Sequence, residues 1–492
     1  MAKKDYEKYV KWKEKGLAHY ATSSVEARKV ASVDGNPYGL DLGIFSMDDV
    51  SYRTPFEIDS DMIIQSRYFP LLSRKTQIFI APENCHFRTR NSHTLTVMRL
   101  AKNIGNGLRL NTDLIEAMAY GHDVGHTAFG HSAETELDAI CQEAYCALSF
   151  DELRKTRPRE CSNLRRRYGE LRKLASDLSE KKFLMRYARV KDILKHPEEW
   201  DRLKKDYMLQ EEDTSVFNHG KQGFRLLCLY AGKNISAQTV YGIVAHNLRR
   251  EIPFEIMFED VRIIERPRSI LKEKYDKDKP IKEEKYLLSP KDATLEAQVV
   301  KFADFLAFSM HDFDDATRAG LMDLDTVRSE FDNQFKRKYD FDKYFGTHRY
   351  TKFVNDFVVH NLNRELEKIL TVNLNDRNML EIPPKTEEIL SWLYTFIKDN
   401  VHNAPTTLQT IKREQAAKYI RYAYQLFMHY RNDPPMFKEL GFDVPELRVR
   451  FSPNYDDLRI FCDLMSFKTD DDLIELERNY LSPRTTGKRH DL

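Results

Sequence analysis

Between Asn111 and Glu134 the chain reads NTDLIEAMAYGHDVGHTAFGHSAE, which gathers three histidines and several acids into one short helix and turn. His122 and Asp123 are adjacent, His126 follows one helical turn later, and His131 and Glu134 come just beyond. Asn111 or Thr112 can cap a helix whose first turn holds Asp113 and Glu116. Ile115, Met118, Ala119 and His122 then share one face at spacings of three and four. His122 therefore sits on the stripe that faces a core. A buried imidazole beside a buried carboxylate is costly unless another group pairs with both, and a metal ion does so. Gly121, Gly125 and Gly130 allow close backbone approach and sharp exits here.

One histidine–aspartate pair leaves a metal ion under-coordinated, so further ligands must come from other helices. Upstream, RTRNSH over 88–93 opens a helix whose Val97, Met98, Ala101 and Ile104 form an apolar face. Downstream, LEAQVVKFADFLAF over 295–308 reads as a buried helix, with Asp304 in line with Ala297, Val300 and Ala307. The order His93, His122-Asp123, Asp304 is the H…HD…D pattern of the HD-domain metal-dependent phosphohydrolases. The stretches LSRKTQIF, RTRNSH, GHDVGHTAFGHSAE and ADFLAFSMHDFDDATRAG resemble the deoxyguanosinetriphosphate triphosphohydrolase branch of that superfamily, between Arg53 and Gly320.

The resemblance implies the following roles. His93, His122, Asp123 and Asp304 hold a divalent metal ion. Two imidazoles and two carboxylates suit Mn2+ or Mg2+ foremost, with Fe, Co, Ni or Zn also compatible. His131 is the candidate proton donor to a leaving sugar oxygen, because an imidazole titrates near neutrality, and Glu134 orients it. His126 contacts the α-phosphate. Arg90 binds phosphate, and Lys301, three residues before Asp304, is a candidate for the same task. Gln77 lies near the nucleotide sugar, His219 is brought toward the phosphates, and Asp312 meets the sugar 3′-hydroxyl. Phe308 stands where the branch usually has Tyr, so it retains the aromatic wall against the deoxyribose without its hydroxyl. His246 reads as a core histidine.

Composition bounds the alternatives. The 492 residues carry 78 Lys and Arg against 77 Asp and Glu, a net charge of +1, so no global field favours nucleic acid or a membrane surface. The six cysteines make no CxxC pair and fit a reducing cytosol. The first residues, MAKKDYEKYVKWKEKG, lack the apolar core of a secretory signal. No run of about 18 apolar residues suggests a membrane span. The expected location is the cytoplasm. With 32% charged residues and few glycines and prolines, the chain reads as an all-α protein.

Its expected organisation is an N-terminal extension (1–50), an HD core (51–330) and a C-terminal helical region (331–492). Residues 146–215 form a charged helical insertion in the core. There Arg165, Arg166 and Arg167 are a candidate phosphate or nucleic-acid contact, though acids are almost as frequent. Gln77 to Ala81 is β-like, and 265–292 reads as a solvated Lys- and Glu-rich connection. The expected reaction is metal-dependent hydrolysis of deoxynucleoside triphosphates (dGTP or several dNTPs) to deoxynucleoside and triphosphate. The alternatives are an HD phosphohydrolase acting on another nucleotide, and a nucleotide-sensing or nucleic-acid-binding protein with secondary catalysis. The resemblance further implies a homo-oligomer with a nucleotide effector.

Overall fold

The structure is a computed structural model. It describes residues 3–27, 31–32, 53–77, 88–137, 139–140, 217–230, 235–248, 256–259, 285–288, 293–346, 349–364, 380–402, 408–444 and 457–480. The 146–215 insertion with its three arginines, and Ile78 to Ala81 of the β-like run, lie outside these residues.

The architecture is all-α around its core. Helix α1 spans Lys3–Lys13, α2 Pro55–Ile64, α3 Arg90–Gly107, α4 Thr112–Gly121, α5 His219–Phe224 and α6 Ala237–Ala245. Then come α7 over Leu295–Arg318, α8 over Leu324–Phe335, α9 over Phe341–Phe345, α10 over Arg349–Asn363 and α11 over Pro384–Ile397. The last four are α12 (Leu408–Tyr430), α13 (Pro434–Glu439), α14 (Asp457–Phe467) and α15 (Asp470–Tyr480).

Helix α7 is the axis of the core. Leu295, Ala297, Val299, Val300, Phe302, Ala303, Leu306, Ala307 and Met310 are all buried, so the helix is enclosed on most sides. Helices α3, α4, α6 and α11 pack against it. Thr294 caps its start by accepting from the Ala297 amide. Asn111, not Thr112, caps α4, accepting from the Asp113 and Leu114 amides. The buried Glu296 carboxylate ties the N-terminal segment to this core, accepting from the Thr22 amide (3.0 Å), the Thr22 hydroxyl (2.9 Å) and the Asn111 amide (3.1 Å).

A small sheet was not expected. Strands β1 (Ala31–Ser32), β2 (Ile256–Glu259) and β3 (Lys285–Leu288) pair antiparallel in the order β1-β3-β2. Within the connection read as solvated over 265–292, Lys285–Leu288 is thus a strand, and the rest of that connection lies outside the described residues.

One hydrophobic cluster runs across the expected division at 331. Residues from Phe56 to Val401 contribute to one hydrophobic cluster, which includes Phe331, Phe353 and Leu393. A second cluster joins Ala128, Phe129, Ala133, Leu137 and Phe217 to α12, α14 and α15. The turn after His126 is therefore built on the C-terminal helices. Asp463 of α14 fastens the two clusters: it accepts from Gln222 Nε2 (3.0 Å), from Arg225 Nε (3.2 Å) and Nη2 (2.8 Å), and from the Tyr230 hydroxyl.

Removing one partner of a buried ion pair leaves an uncompensated charge. Asp463→Ala is expected to cost about 3–5 kcal/mol in urea unfolding, and Asp463→Asn less, because it retains an acceptor for Tyr230.

Candidate active site

Two helix ends and the middle of a third helix build the site. An isolated bridge between Thr76 and Thr89 fixes the entry to α3. Arg90 is the first residue of α3 and His93 lies one turn on, both buried. Helix α4 ends at Gly121, so His122, Asp123 and His126 lie in the turn that follows rather than on a continuing helix. Helix α7 supplies Asp304.

The four expected ligands converge. His93 Nε2 is 2.9 Å from Asp304 Oδ1 and 3.9 Å from Asp123 Oδ2. His122 Nε2 is 3.5 Å from Asp123 Oδ1 and 3.7 Å from Asp304 Oδ1. His122 Nδ1 donates to the Ala119 carbonyl at 2.7 Å, so Nε2 carries the lone pair. That Nε2 is buried with no hydrogen-bond partner among the described residues. An unpartnered imidazole nitrogen facing two carboxylates fits a divalent cation, which would satisfy all of them at once.

Charge balance agrees. Burial pushes the Asp123 carboxyl up, but His122, Arg90 and His126 together hold it well below the usual carboxylate range. Asp304 is likewise held down against burial by His93 and His122. Arg90 Nη1 donates to Asp123 Oδ2 at 3.0 Å, while its Nε and Nη2 have no partner among the described residues.

Outward from this set runs a row of histidines. His126 Nε2 lies 3.1 Å from Asp123 Oδ1, and its ring stacks on His219 with centroids 3.5 Å apart. Glu134 faces three imidazoles: its Oε1 is 2.8 Å from His126 Nδ1 and 2.9 Å from His219 Nδ1, and its Oε2 is 3.1 Å from His131 Nδ1. Burial, Arg90 and His219 drive the His126 imidazole down to about 3. Burial raises Glu134, but His219 and His126 outweigh it and hold the carboxylate well below its usual range. His131 alone of this row is open, its side chain 60% exposed. His126 has a carboxylate beside each ring nitrogen, Asp123 at Nε2 and Glu134 at Nδ1.

The remaining candidates are spread more widely. Phe308 is half-buried one turn past Asp304, and Asp312 is buried two turns past it. Gln77 is buried beside the Thr76 bridge, with Oε1 unpartnered among the described residues. Lys301 donates to the Leu248 carbonyl at 2.6 Å, at the exit of α6.

Several residues of the site were not assigned from the sequence. His246 is buried as expected, yet its Nε2 lies 3.0 Å from His219 Nε2 and its ring centroid 5.1 Å from that of His122. His311 places Nδ1 3.1 Å from His93 Nδ1; its spacing of seven from Asp304 was the available signal. Lys75 is fully buried and donates to the carbonyls of His126 (2.6 Å) and Ser466 (2.8 Å). Burial, with Arg90 nearby, pushes its amine down to about 7.

Asp470 of α15 completes the turn. It accepts from the Phe129 amide at 2.8 Å, and from the amide (3.1 Å) and hydroxyl of Thr76. Phe129 and Gly130 both adopt positive φ, 59° and 55°. A Cβ on Gly130 would stand 2.3 Å from Arg90 Nη2, so the turn closes directly over Arg90. At Gly125 a Cβ would stand 1.9 Å from the His219 carbonyl, and this glycine lets α5 bring His219 against the turn.

Comparison with known proteins follows this geometry. A family model described as HD domain matches residues 90–157. A deoxyguanosinetriphosphate triphosphohydrolase-like protein of Caldanaerobacter subterraneus subsp. tengcongensis is 53% identical over 93 residues, covering 19% of this chain and 27% of that relative. A protein of the same name from Brucella anthropi is 30% identical over 284 residues, 56% of this chain and 50% of the relative. One from Desulfatibacillum aliphaticivorans is 25% identical over 429 residues, 85% of each chain. The matches thus span about a quarter and half of the first two relatives' lengths. Residues 90–157 thus match the HD domain, and the curated relatives that the chain resembles carry the name deoxyguanosinetriphosphate triphosphohydrolase-like protein. Among the described residues, no helix is long and apolar enough to cross a membrane.

Two outcomes follow. Asp123→Ala and Asp304→Ala should each lose bound metal, read by elemental analysis of the purified proteins; a normal metal content in either would remove that residue from the ligand set. Asp470→Ala should retain metal but lower stability by about 1–3 kcal/mol for each amide it strands, read by thermal unfolding.

Proposed function

We propose that the chain hydrolyses deoxynucleoside triphosphates to deoxynucleoside and triphosphate. The observation that carries this reading is the His131–Glu134 pair. It sets one solvent-facing imidazole, held by a half-buried carboxylate, at the end of a row leading into the ligand set.

His93, His122, Asp123 and Asp304 would hold a divalent cation, Mn2+ or Mg2+ foremost. The cation supplies Lewis-acid charge to a phosphoryl oxygen. All other work falls to the chain. Arg90 is buried with two unpartnered donors, and a guanidinium fork suits phosphate oxygens. It stands against Asp123, so phosphate bound there lies beside the ligand set.

Loss of a sugar 5′-oxygen requires a proton at that atom. His131 delivers it, because its imidazole is the one in this row that solvent and substrate reach. Glu134 Oε2 accepts from His131 Nδ1, which orients the ring and offsets the charge of the imidazolium. Glu134 Oε1 lies 2.8 Å from His126 Nδ1 and 2.9 Å from His219 Nδ1, so the carboxylate sits between these imidazoles and His131. Phe308 would form the apolar wall for the deoxyribose, with Asp312 and Gln77 toward the sugar hydroxyl and Lys301 as an additional cation. A homo-oligomer with a nucleotide effector and a cytoplasmic location belong to the same reading.

The test is incubation with each dNTP and NTP plus Mn2+ or Mg2+, resolving tripolyphosphate from pyrophosphate and phosphate. Release of only pyrophosphate or phosphate would exclude this reaction. His131→Ala should keep its metal and bind nucleotide, yet lose turnover by about 10²-fold or more, the scale of a positioned acid. Glu134→Gln should lose less, and the two losses should not add, because both act through one proton transfer. Metal loss from His131→Ala would instead make it a ligand.

A further inference from the structure

A groove between α3 and α10 is lined by side chains that the proposed reaction does not use. Helix α3 presents Leu100, Asn103 and Asn106 at steps of three, and α10 presents Tyr350, Thr351, Val354 and Asn355 across from them. These residues line a cavity of about 310 Å³, at the small end of the roughly 300–1,000 Å³ of ligand sites. Its floor is apolar, because Leu100 and Val354 are buried. At Gly107 a Cβ would stand 2.8 Å from Val358 Cγ1, so the two helices draw together just beyond Asn106. Leu100 lies seven residues past His93 on the same helix, roughly 10 Å along its axis at about 1.5 Å per residue. The groove is therefore separate from the ligand set.

Its lining is neutral. Charged residues make up 32% of the chain, yet none of the lining residues is charged. Charged neighbours on the same helices are committed elsewhere: Lys102 pairs with Glu116, and Lys352 with Asp356. A phosphate finds no cation among the lining residues. What the groove offers is amide. The side chains of Asn103, Asn106 and Asn355 are exposed and make no hydrogen bond among the described residues. Each carboxamide carries a donor and an acceptor side by side. That pair complements a nucleobase edge with an adjacent donor and acceptor. Adenine has two such edges, its amino group with N7 on one side and with N1 on the other. Two carboxamides from facing helices can therefore hold it at once. Tyr350 adds an aromatic ring on which a base can stack, and Thr351 adds a hydroxyl for a sugar.

We propose that this groove binds an uncharged adenine nucleoside, namely the deoxyadenosine that the proposed reaction would release. The choice of sugar rests on that reaction, whereas the choice of base rests on the lining alone. A free nucleoside suits the groove better than its parent triphosphate, because the lining has no partner for phosphate charge. Product held there sits on the helix whose first turn carries Arg90 and His93.

The experiment is equilibrium dialysis of labelled deoxyadenosine against the full chain. One saturable site per chain is expected, with an affinity unchanged between low and high salt, because no charges pair on binding. Thymidine lacks an amino group flanked by two acceptors and should bind more weakly. Asn103→Leu and Asn355→Leu alter exposed helix positions. Each should weaken deoxyadenosine binding by about tenfold or more, the effect of losing a two-point base contact. Both variants should keep the dNTP turnover of the unsubstituted protein. Absence of saturable binding overturns the proposal, as does an affinity that falls with salt, equal binding of thymidine, or undiminished binding in both variants. Binding lost in Arg90→Ala but kept in the two asparagine variants places the nucleoside beside the ligand set and also overturns it. Deoxyadenosine binding without release of triphosphate from any dNTP sustains the groove and refutes the reaction. Triphosphate release without deoxyadenosine binding does the reverse.

Discussion

Burial of Asp123 is the constraint on which the site depends. A carboxylate almost wholly removed from water is costly unless opposite charge and donors surround it. Here Arg90, His122 and His126 do so from three directions. Each is held by something else: Arg90 by the start of α3, His122 by the Ala119 carbonyl, and His126 by Lys75 on its backbone carbonyl. The demand for compensation at one carboxylate thus spreads through three elements. The site also stays ionised: these neighbours hold Asp123 as a carboxylate, and His93 with His122 does the same for Asp304, the form a metal ion requires.

The turn from His122 to Gly130 is the least self-sufficient part of the structure. Two successive residues take positive φ, and a phenylalanine there is strained. Its support comes from Asp470, more than three hundred residues away in sequence, and from Lys75, which bridges the His126 carbonyl to that of Ser466. Phe129 and Ala133 bury into the cluster formed by α12, α14 and α15. The C-terminal helices are consequently part of the site's scaffold rather than an appended region. A rigid outer frame suits a site whose chemistry needs imidazoles held at fixed distances.

Histidines dominate the interior for a related reason. An imidazole offers one donor and one acceptor, so chains of them can carry polarity through a core without net charge. At His122 the Ala119 carbonyl merely aims the ring. Glu134 anchors the outer end of the row, and its position between three rings explains why only His131 remains open.

Much of this was legible in sequence because it is local or periodic. The spacing of His122 on the stripe of α4, and of Asp304 on α7, placed polar groups on faces that had to be buried, and burial required a partner. The all-α core followed from the same periodicity. The small sheet escaped because its strands are two to four residues long and are joined by a charged stretch. What only the tertiary structure decided is which distant groups meet. His246 looked like any histidine on an apolar face, because its meaning depends on α5 lying across α6. Asp470 and Lys75 carried no signal at all, since a single charged residue is buried only by what folds over it. Sequence determined the ligands that helical spacing aligns; the fold decided the contacts between elements, because hydrogen bonds across hundreds of residues leave no period in the chain.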